Sequence, residues 1–233
     1  MHSTLSQPAI SLDLVDGVLF DFNGTLSNDE PILRELFIEL AAKYFDVTLT
    51  AEAYHAELAG RNDREILGGI QAMAKPGVCS TSIPEFLEII DAEYAVRIRK
   101  EQTISTSCIE LVRELSARSI KMAVVTGASR KQVIPALERA GILPLFETVV
   151  TDEDVAVGKP DPEGFHMAAH RLGLEDPRRI AVFEDSIPGL QAAKAAGMIP
   201  ICVSGTHSRK ELEQHADIIV AELSVECLQL KLG

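Results

Sequence analysis

Short apolar runs alternate with stretches of helical periodicity through the second half of the chain. Gly17 to Phe22, Lys121 to Thr126, Thr148 to Thr151, Arg179 to Phe183, Met198 to Val203 and Ile218 to Val220 read as buried strands. Ser129 to Ala140, Asp161 to Leu172 and Ile187 to Ala196 read as amphipathic helices, closed by Gly141, Gly173 and Gly197, and Ser224 opens a terminal helix. Apolar strands interleaved with helices predict an α/β fold, a doubly wound, Rossmann-like parallel sheet covered on both faces. Between the first strand and Thr103 the period changes. Glu30 to Phe45, Ala51 to Leu58, Asp63 to Met73 and Ile83 to Arg99 are helical in pattern, with no convincing strand among them. The pattern predicts an α/β core of residues 1–27 and 100–233 with an all-helical cap, residues 28–99, inserted after the first strand. Such a cap sits over the carboxyl edge of the sheet, where it can exclude water and select a ligand.

At 233 residues and 46% hydrophobic content, the chain has ample material for a core plus an inserted module. Its net charge of −13 argues against binding a nucleic-acid backbone. Any phosphate site must therefore be a local arrangement of cation, Lys and backbone N–H groups. No apolar run approaches the ~18 residues of a membrane span, and Met1 to Ser11 lacks the basic and apolar regions of a signal peptide. Cys79, Cys108, Cys202 and Cys227 have no metal-ligand spacing; two disulfides are possible, but buried or incidental thiols in a reducing cytoplasm are the expectation. Of the six histidines, His166 and His170 lie four apart on a predicted helix but lack a third ligand.

Four polar sites fall at the carboxyl ends of predicted strands. Asp21 closes the first, Thr126 with Gly127 the second, Lys159 lies in the loop after the third, and Glu184-Asp185-Ser186 follows the fourth. Taken singly, each has an ordinary reading as a cap, a turn or a solvated loop residue. Their order and common placement are harder to obtain by chance. Three or more acids around one small site would also repel one another without a cation, which argues for a metal.

The segments DFNGTL, VVTGAS, GKPDPEGF and VFEDSIPGLQAAKAAGM resemble, in order, the four motifs of the haloacid dehalogenase-like hydrolases. The resemblance covers essentially the whole chain. The helical insertion is similar to the cap of the subgroup containing phosphoglycolate phosphatases and β-phosphoglucomutases. The resemblance implies a phosphatase acting on a small phosphorylated metabolite. Asp21 would be the nucleophile that forms an aspartyl-phosphate. Asp21, the backbone carbonyl of Asn23 and Asp185 would hold Mg2+, with Glu184 helping directly or through water. Thr126 and the N–H of Gly127 would bind phosphoryl oxygens, Gly24 would add backbone donors, and Lys159 would neutralise charge. A cytoplasmic monomer or homodimer is expected, with no nucleic-acid or membrane partner.

Asn23 departs from the family pattern, which has an Asp there to protonate the leaving alcohol and then activate water. An amide cannot do that work near neutral pH, and its loss typically costs ~10²–10⁴-fold in rate. Four explanations compete: an engineered Asp-to-Asn form, an enzyme whose acid–base group comes from the cap or the substrate, a phospho-ligand binding protein with little turnover, or chemistry at carbon–halogen or carbon–phosphorus bonds. The dehalogenase and phosphonatase patterns place Tyr and Ala at this position, and neither matches. Where an intact scaffold is disabled only at this position, Asn23→Asp is expected to raise turnover by orders of magnitude.

Gly60-Arg61-Asn62-Asp63-Arg64 resembles the specificity loop of this cap type. Arg61 or Arg64 would hold a second anionic group of the substrate. The plainer reading is a helix start, with Asn62 or Asp63 as its cap and both arginines in solvent. Aligned on Gly60, Asp63 falls where the mutases have their substrate-binding Arg, which favours a phosphatase over a phosphomutase. Asp29 and Glu30, just after the first motif, could face the site; the preferred reading is that they begin the first cap helix.

Overall fold

A computed structural model describes residues 10–12, 15–58, 61–99, 101–205, 212, 214–216 and 218–232. Residues 1–9, Gly60, His207 and Asp217 lie outside this description, and with them most of the N-terminal stretch read for a signal. Six parallel strands form the main sheet in the order β4-β3-β2-β5-β6-β7. They are β2 (Gly17–Phe20), β3 (Lys121–Val125), β4 (Thr148–Val150), β5 (Ile180–Glu184), β6 (Ile199–Val203) and β7 (Ile218–Val220). The chain moves outward from β2 through β3 to β4, then returns to the other side of β2 with β5. That reversal makes the carboxyl ends of β2 and β5 the topological switch point, where a crevice opens in folds of this kind.

The β2 side chains show how the sheet is covered. Val18 and Phe20 join a cluster with Leu111, Leu115, Val133 and Leu137 of α5 (Thr106–Ala117) and α6 (Arg130–Arg139). Leu19, pointing the other way, joins one with Phe165, Ala168, Leu172 and Ala192 of α7 (Glu163–Leu172) and α8 (Ile187–Ala195). Burial on both faces explains why the strands read as unbroken apolar runs rather than alternating ones. Phe20 and Phe183, paired in register on β2 and β5, stack with ring centroids 5.3 Å apart. Both are fully buried, and each such side chain contributes about 1.5–3 kcal/mol through burial.

Between β2 and α5 come four helices, α1 (Glu30–Phe45), α2 (Ala51–Glu57), α3 (Asp63–Met73) and α4 (Ile83–Ile98), with no strand among the described residues. Their apolar faces meet around Phe37, Tyr54, Ile70, Phe86 and Tyr94, which extend the cluster on the α5–α6 side of the sheet. Where α3 and α4 meet α6 the contact is polar. Gln132 donates to Asp63 Oδ2 at 2.7 Å and to Asp91 Oδ1 at 3.1 Å, and Ser129 donates to the same Asp91 oxygen at 2.6 Å.

Several boundaries differ from those read off the sequence. β2 stops at Phe20 rather than Phe22, because the Phe22 carbonyl turns to accept from Thr25 and Ser27. α7 starts at Glu163, not Asp161: the Asp161 carboxylate accepts the Glu163 N–H at 2.9 Å and holds a turn there. The terminal helix expected from Ser224 is a 3-10 segment, Val225–Gln229, after which Lys231–Leu232 (β8) pairs antiparallel with Ile10–Ser11 (β1). All four cysteines are free, and no helix of the described residues is long and apolar enough to cross a membrane.

Candidate active site

Each strand-end residue expected from the sequence lies at the carboxyl edge of the sheet. The Asp21 N–H still donates to Phe183 O at 3.0 Å, so its side chain starts from a fixed point just beyond β2. Glu184 is the last residue of β5, and Asp185 follows it. Oxygens of Asp21, Glu184 and Asp185, all three buried, lie within 4.8 Å of one another. Lys159 reaches in from the loop after β4 and donates to Asp21 Oδ1 and Glu184 Oε1, both at 2.5 Å, and to Val125 O at 3.0 Å. The second Glu184 oxygen accepts from the N–H and hydroxyl of Ser186, both at 2.8 Å. Ser186 in turn caps α8, its hydroxyl oxygen accepting the Gly189 N–H at 3.1 Å.

Two glycines make this packing possible. A Cβ at Gly189 would collide with the Glu184 carboxylate, and one at Gly24 with the Asp185 carboxylate. Gly24 also has φ +76°, a conformation that L side chains rarely adopt. The sequence expectation gave Gly24 a role as donor to the ligand, but its N–H donates to Ser27 O at 2.8 Å and closes the turn of its own loop. Its fixed contribution is the close approach to Asp185.

Two carboxylates, Asp21 and Glu184, share one ammonium, with the Asp185 carboxylate close by. Burial pushes Asp21 up to about 7, opposed by the Lys159 ammonium and reinforced by the Glu184 carboxylate. Lys159 is itself raised, because the attraction of the two carboxylates outweighs the cost of its burial. An all-oxygen, buried, anionic set of this kind suits a hard divalent cation.

The site opens into a cavity of about 590 Å³ roofed by α1 and α3. Thr126, Gly127 and Asn23 line it, as do Arg61 and Arg64. The Thr126 hydroxyl oxygen accepts the Ala128 N–H at 3.1 Å, which leaves its own hydrogen to donate elsewhere. Asn62 caps α3 in a capping box with Glu65, as the plainer reading of this loop expects. Arg61 and Arg64 are exposed, yet both border the cavity, so the two readings of the loop are compatible. Asp63 is held by Gln132, and burial pushes it up to about 7.

Asp29 and Glu30 do begin α1, but their side chains do more than cap it. Asp29 is completely buried, makes no capping bond, and accepts from the Asn23 amide at 3.0 Å and from the Tyr94 hydroxyl. Burial pushes it up to about 6, against the pull of these donors. Its local sequence reads as a helix start; the partner that buries it, Tyr94, comes from α4, far along the chain. The carboxylate at Asp29 means that position 23 faces an acceptor, which an amide satisfies by donating.

A doubly wound sheet with an Asp, a partly buried Lys and an acidic pair at its switch point suits group transfer at a carboxylate nucleophile. Comparison with known proteins narrows the class: the haloacid dehalogenase-like hydrolase family model matches residues 15–197, and the chain belongs to that family. It is 31% identical over 210 residues to validoxylamine A 7'-phosphate phosphatase of Streptomyces hygroscopicus subsp. limoneus, covering 88% of this chain and 93% of the relative. It is 30% identical over 193 residues to a phosphoglycolate phosphatase of Pectobacterium atrosepticum, covering 80% and 79% of the two chains. Among solved structures, a mutant CbbY from Rhodobacter sphaeroides in complex with xylulose-(1,5)bisphosphate superposes with a TM-score of 0.82 at 26% identity, over 93% of this chain and all of that one.

Proposed function

We propose that the chain is a cytoplasmic, Mg2+-dependent phosphatase that hydrolyses a small phosphorylated carbohydrate or polyol through an aspartyl-phosphate on Asp21. The observation that carries this reading is the Asp21 carboxylate at the switch point, 2.5 Å from the partly buried Lys159 ammonium and grouped with Glu184 and Asp185 in a cavity bordered by α1 and α3. Asp21, Asp185, Glu184 and the Asn23 carbonyl would hold Mg2+, which when bound supplies charge neutralisation at the phosphoryl group.

In the first half-reaction an Asp21 oxygen attacks phosphorus in line as the bond to the sugar oxygen breaks. Lys159 and the Thr126 hydroxyl stabilise the equatorial oxygens, and the Gly127 N–H adds a donor. Water then attacks the aspartyl-phosphate, releasing phosphate and regenerating Asp21. Helices α1 to α4, residues 28–99, act as the cap that keeps bulk water from the acyl-phosphate, and residues 1–27 and 100–233 act as the core. The carbohydrate preference rests on the relatives and on the cavity, which is larger than a bare phosphate needs. Four free thiols fit a reducing compartment.

The test is phosphate release from a panel of sugar phosphates, phosphoglycolate, nucleotides and an aryl phosphate. Chelation by EDTA is expected to lower release by at least about 100-fold, because such charge stabilisation is worth several kcal/mol. Release that is equal with Mg2+ and with EDTA would sink the metal part, and silence across the panel would sink the phosphatase. Arg61 and Arg64 make a narrower prediction. Changing both to Ala is expected to raise KM about 10-fold for a substrate with a second anionic group and to leave singly phosphorylated ones unchanged, since a charged hydrogen bond lost at an exposed site costs on the order of 1.5 kcal/mol. Equal effects on both substrate types would remove the arginines from substrate recognition.

A further inference from the structure

We propose that Glu30 is the acid–base residue of this enzyme, protonating the leaving oxygen and then activating the hydrolytic water in place of the carboxylate that Asn23 lacks. The inference rests on the phosphatase reading above. Its first support is placement. The loop after β2 closes on itself: Gly24 N–H donates to Ser27 O at 2.8 Å and the Asn23 amide donates to Asp29 at 3.0 Å. Glu30 follows Asp29 directly, and it lines the same cavity as Asp21 and Asn23.

The second support is that Glu30 is uncommitted. Its half-buried carboxylate has no hydrogen-bond partner among the described residues. Of the other cavity acids, Glu184 is engaged by Lys159 and Ser186 and Asp63 by Gln132, while Asp152, whose Oδ1 also has no partner, lies among Glu153, Asp91 and Arg64. The Tyr54 phenol, driven upward by its burial, is far too weak an acid. Glu30 faces Asp29 and Arg34 from α1 and its start, His55 from α2, and the more distant Asp63 of α3. Burial first, then the Asp29 carboxyl, push it up to about 7, with His55 and Arg34 pulling it back. A carboxyl tuned there is available in both protonation states near neutral pH.

The proton balance closes over one cycle. As Asp21 Oδ bonds to phosphorus, the phosphorus–oxygen bond to the sugar breaks and the Glu30 proton passes to that oxygen, giving the free alcohol and a Glu30 carboxylate. That carboxylate takes a proton from water as the water oxygen bonds to phosphorus and the Asp21–phosphorus bond breaks. Phosphate leaves, Asp21 is a carboxylate again and Glu30 is again protonated.

The experiment compares the parent chain with Glu30→Gln and Glu30→Asp on a sugar phosphate and on 4-nitrophenyl phosphate. Glu30→Gln is expected to lower kcat for the sugar phosphate about 10²–10⁴-fold with KM little changed, and to remove the fall of kcat/KM as pH rises through neutrality. With 4-nitrophenyl phosphate, whose leaving group needs no proton, it is expected to release one equivalent of nitrophenol rapidly and then stall, with one phosphoryl group retained on the protein. Glu30→Asp, which keeps the acid, is expected to recover part of the sugar-phosphate rate. Sugar-phosphate turnover by Glu30→Gln within about 3-fold of the parent, or a change in KM alone, would overturn the assignment while leaving the phosphatase standing. A Glu30→Asp form as inactive as Glu30→Gln would also overturn it. No release by the parent on any substrate would overturn both readings together.

Discussion

Replacing Asp21 with Ala is expected to abolish turnover of every phosphomonoester, lowering kcat by about 10⁴-fold or more, as loss of a nucleophile does in other covalent mechanisms. No neighbour can take over. Glu184 has one oxygen on Lys159 and the other on Ser186, and Asp185 sits against the Gly24 turn. The same change should not unfold the protein. Asp21 and Glu184 share the Lys159 ammonium, so two carboxylates face one cation; without Asp21 the pair is balanced, and Lys159 keeps Glu184 as partner. In EDTA the Asp21→Ala form is therefore expected to melt no lower than the parent, a trade of stability against function common at active sites. Mg2+ should raise its melting temperature less than the parent's, because a ligand has gone. Calorimetry with and without Mg2+, run beside the phosphate assay, checks both parts. Undiminished hydrolysis would remove Asp21 from the nucleophile role.

The residues gathered around Asp21 were legible in the sequence because each closes a strand, and a parallel sheet brings strand ends to one edge. Lys159 is an example: its loop has no helical or strand pattern, yet its place after the third strand was enough to send it to the same edge as Asp21. What the sequence could not show was contact between elements far apart in the chain. Asp29 before an apolar periodic run is the ordinary mark of a helix start, and nothing local says that Tyr94 will bury it. Glu30 shares that helix start, so its place just after the first motif allows it to face the site without separating that role from a capping one; the structure places it on the cavity wall. The β1–β8 pair was missed because two residues per strand carry no period. The helix α5, absent from the elements read off the sequence, carries a clear helical period in its apolar face of Cys108, Leu111, Val112 and Leu115.

Lys159→Met should have the second largest effect, and its two components separate by pH. For catalysis, the ammonium is a fixed positive charge aimed at Asp21 in a water-poor site, and removal of one such stabilising group costs about 10²–10³ in kcat. For stability, Met matches the stem of Lys but strands Asp21 and Glu184 beside Asp185 with no cation within hydrogen-bond distance among the described residues. Breaking a buried ion pair costs about 3–5 kcal/mol when the remaining charge stays ionised. Carboxylates can escape that cost by taking up a proton, which fixes the sign of the pH dependence. Asp21 is already raised in the folded protein, and loss of Lys159 removes the pull that opposes the rise. Ionising a folded-state carboxyl held above its unfolded value costs stability, and the unfolded reference is common to both proteins, so the deficit of Lys159→Met relative to the parent grows as pH rises through and beyond about 7, the folded-state value of Asp21 in the parent. Asp21 should contribute little to it at acid pH, where its carboxyl is protonated in the folded forms of both proteins. Mg2+ at neutral pH should recover part of the loss, because a divalent cation satisfies the same oxygens. Urea melts of both forms across this pH range, in EDTA and in Mg2+, measure the deficit directly. A deficit independent of both pH and Mg2+ would mean that Lys159 contributes through the packing of its stem rather than through its charge.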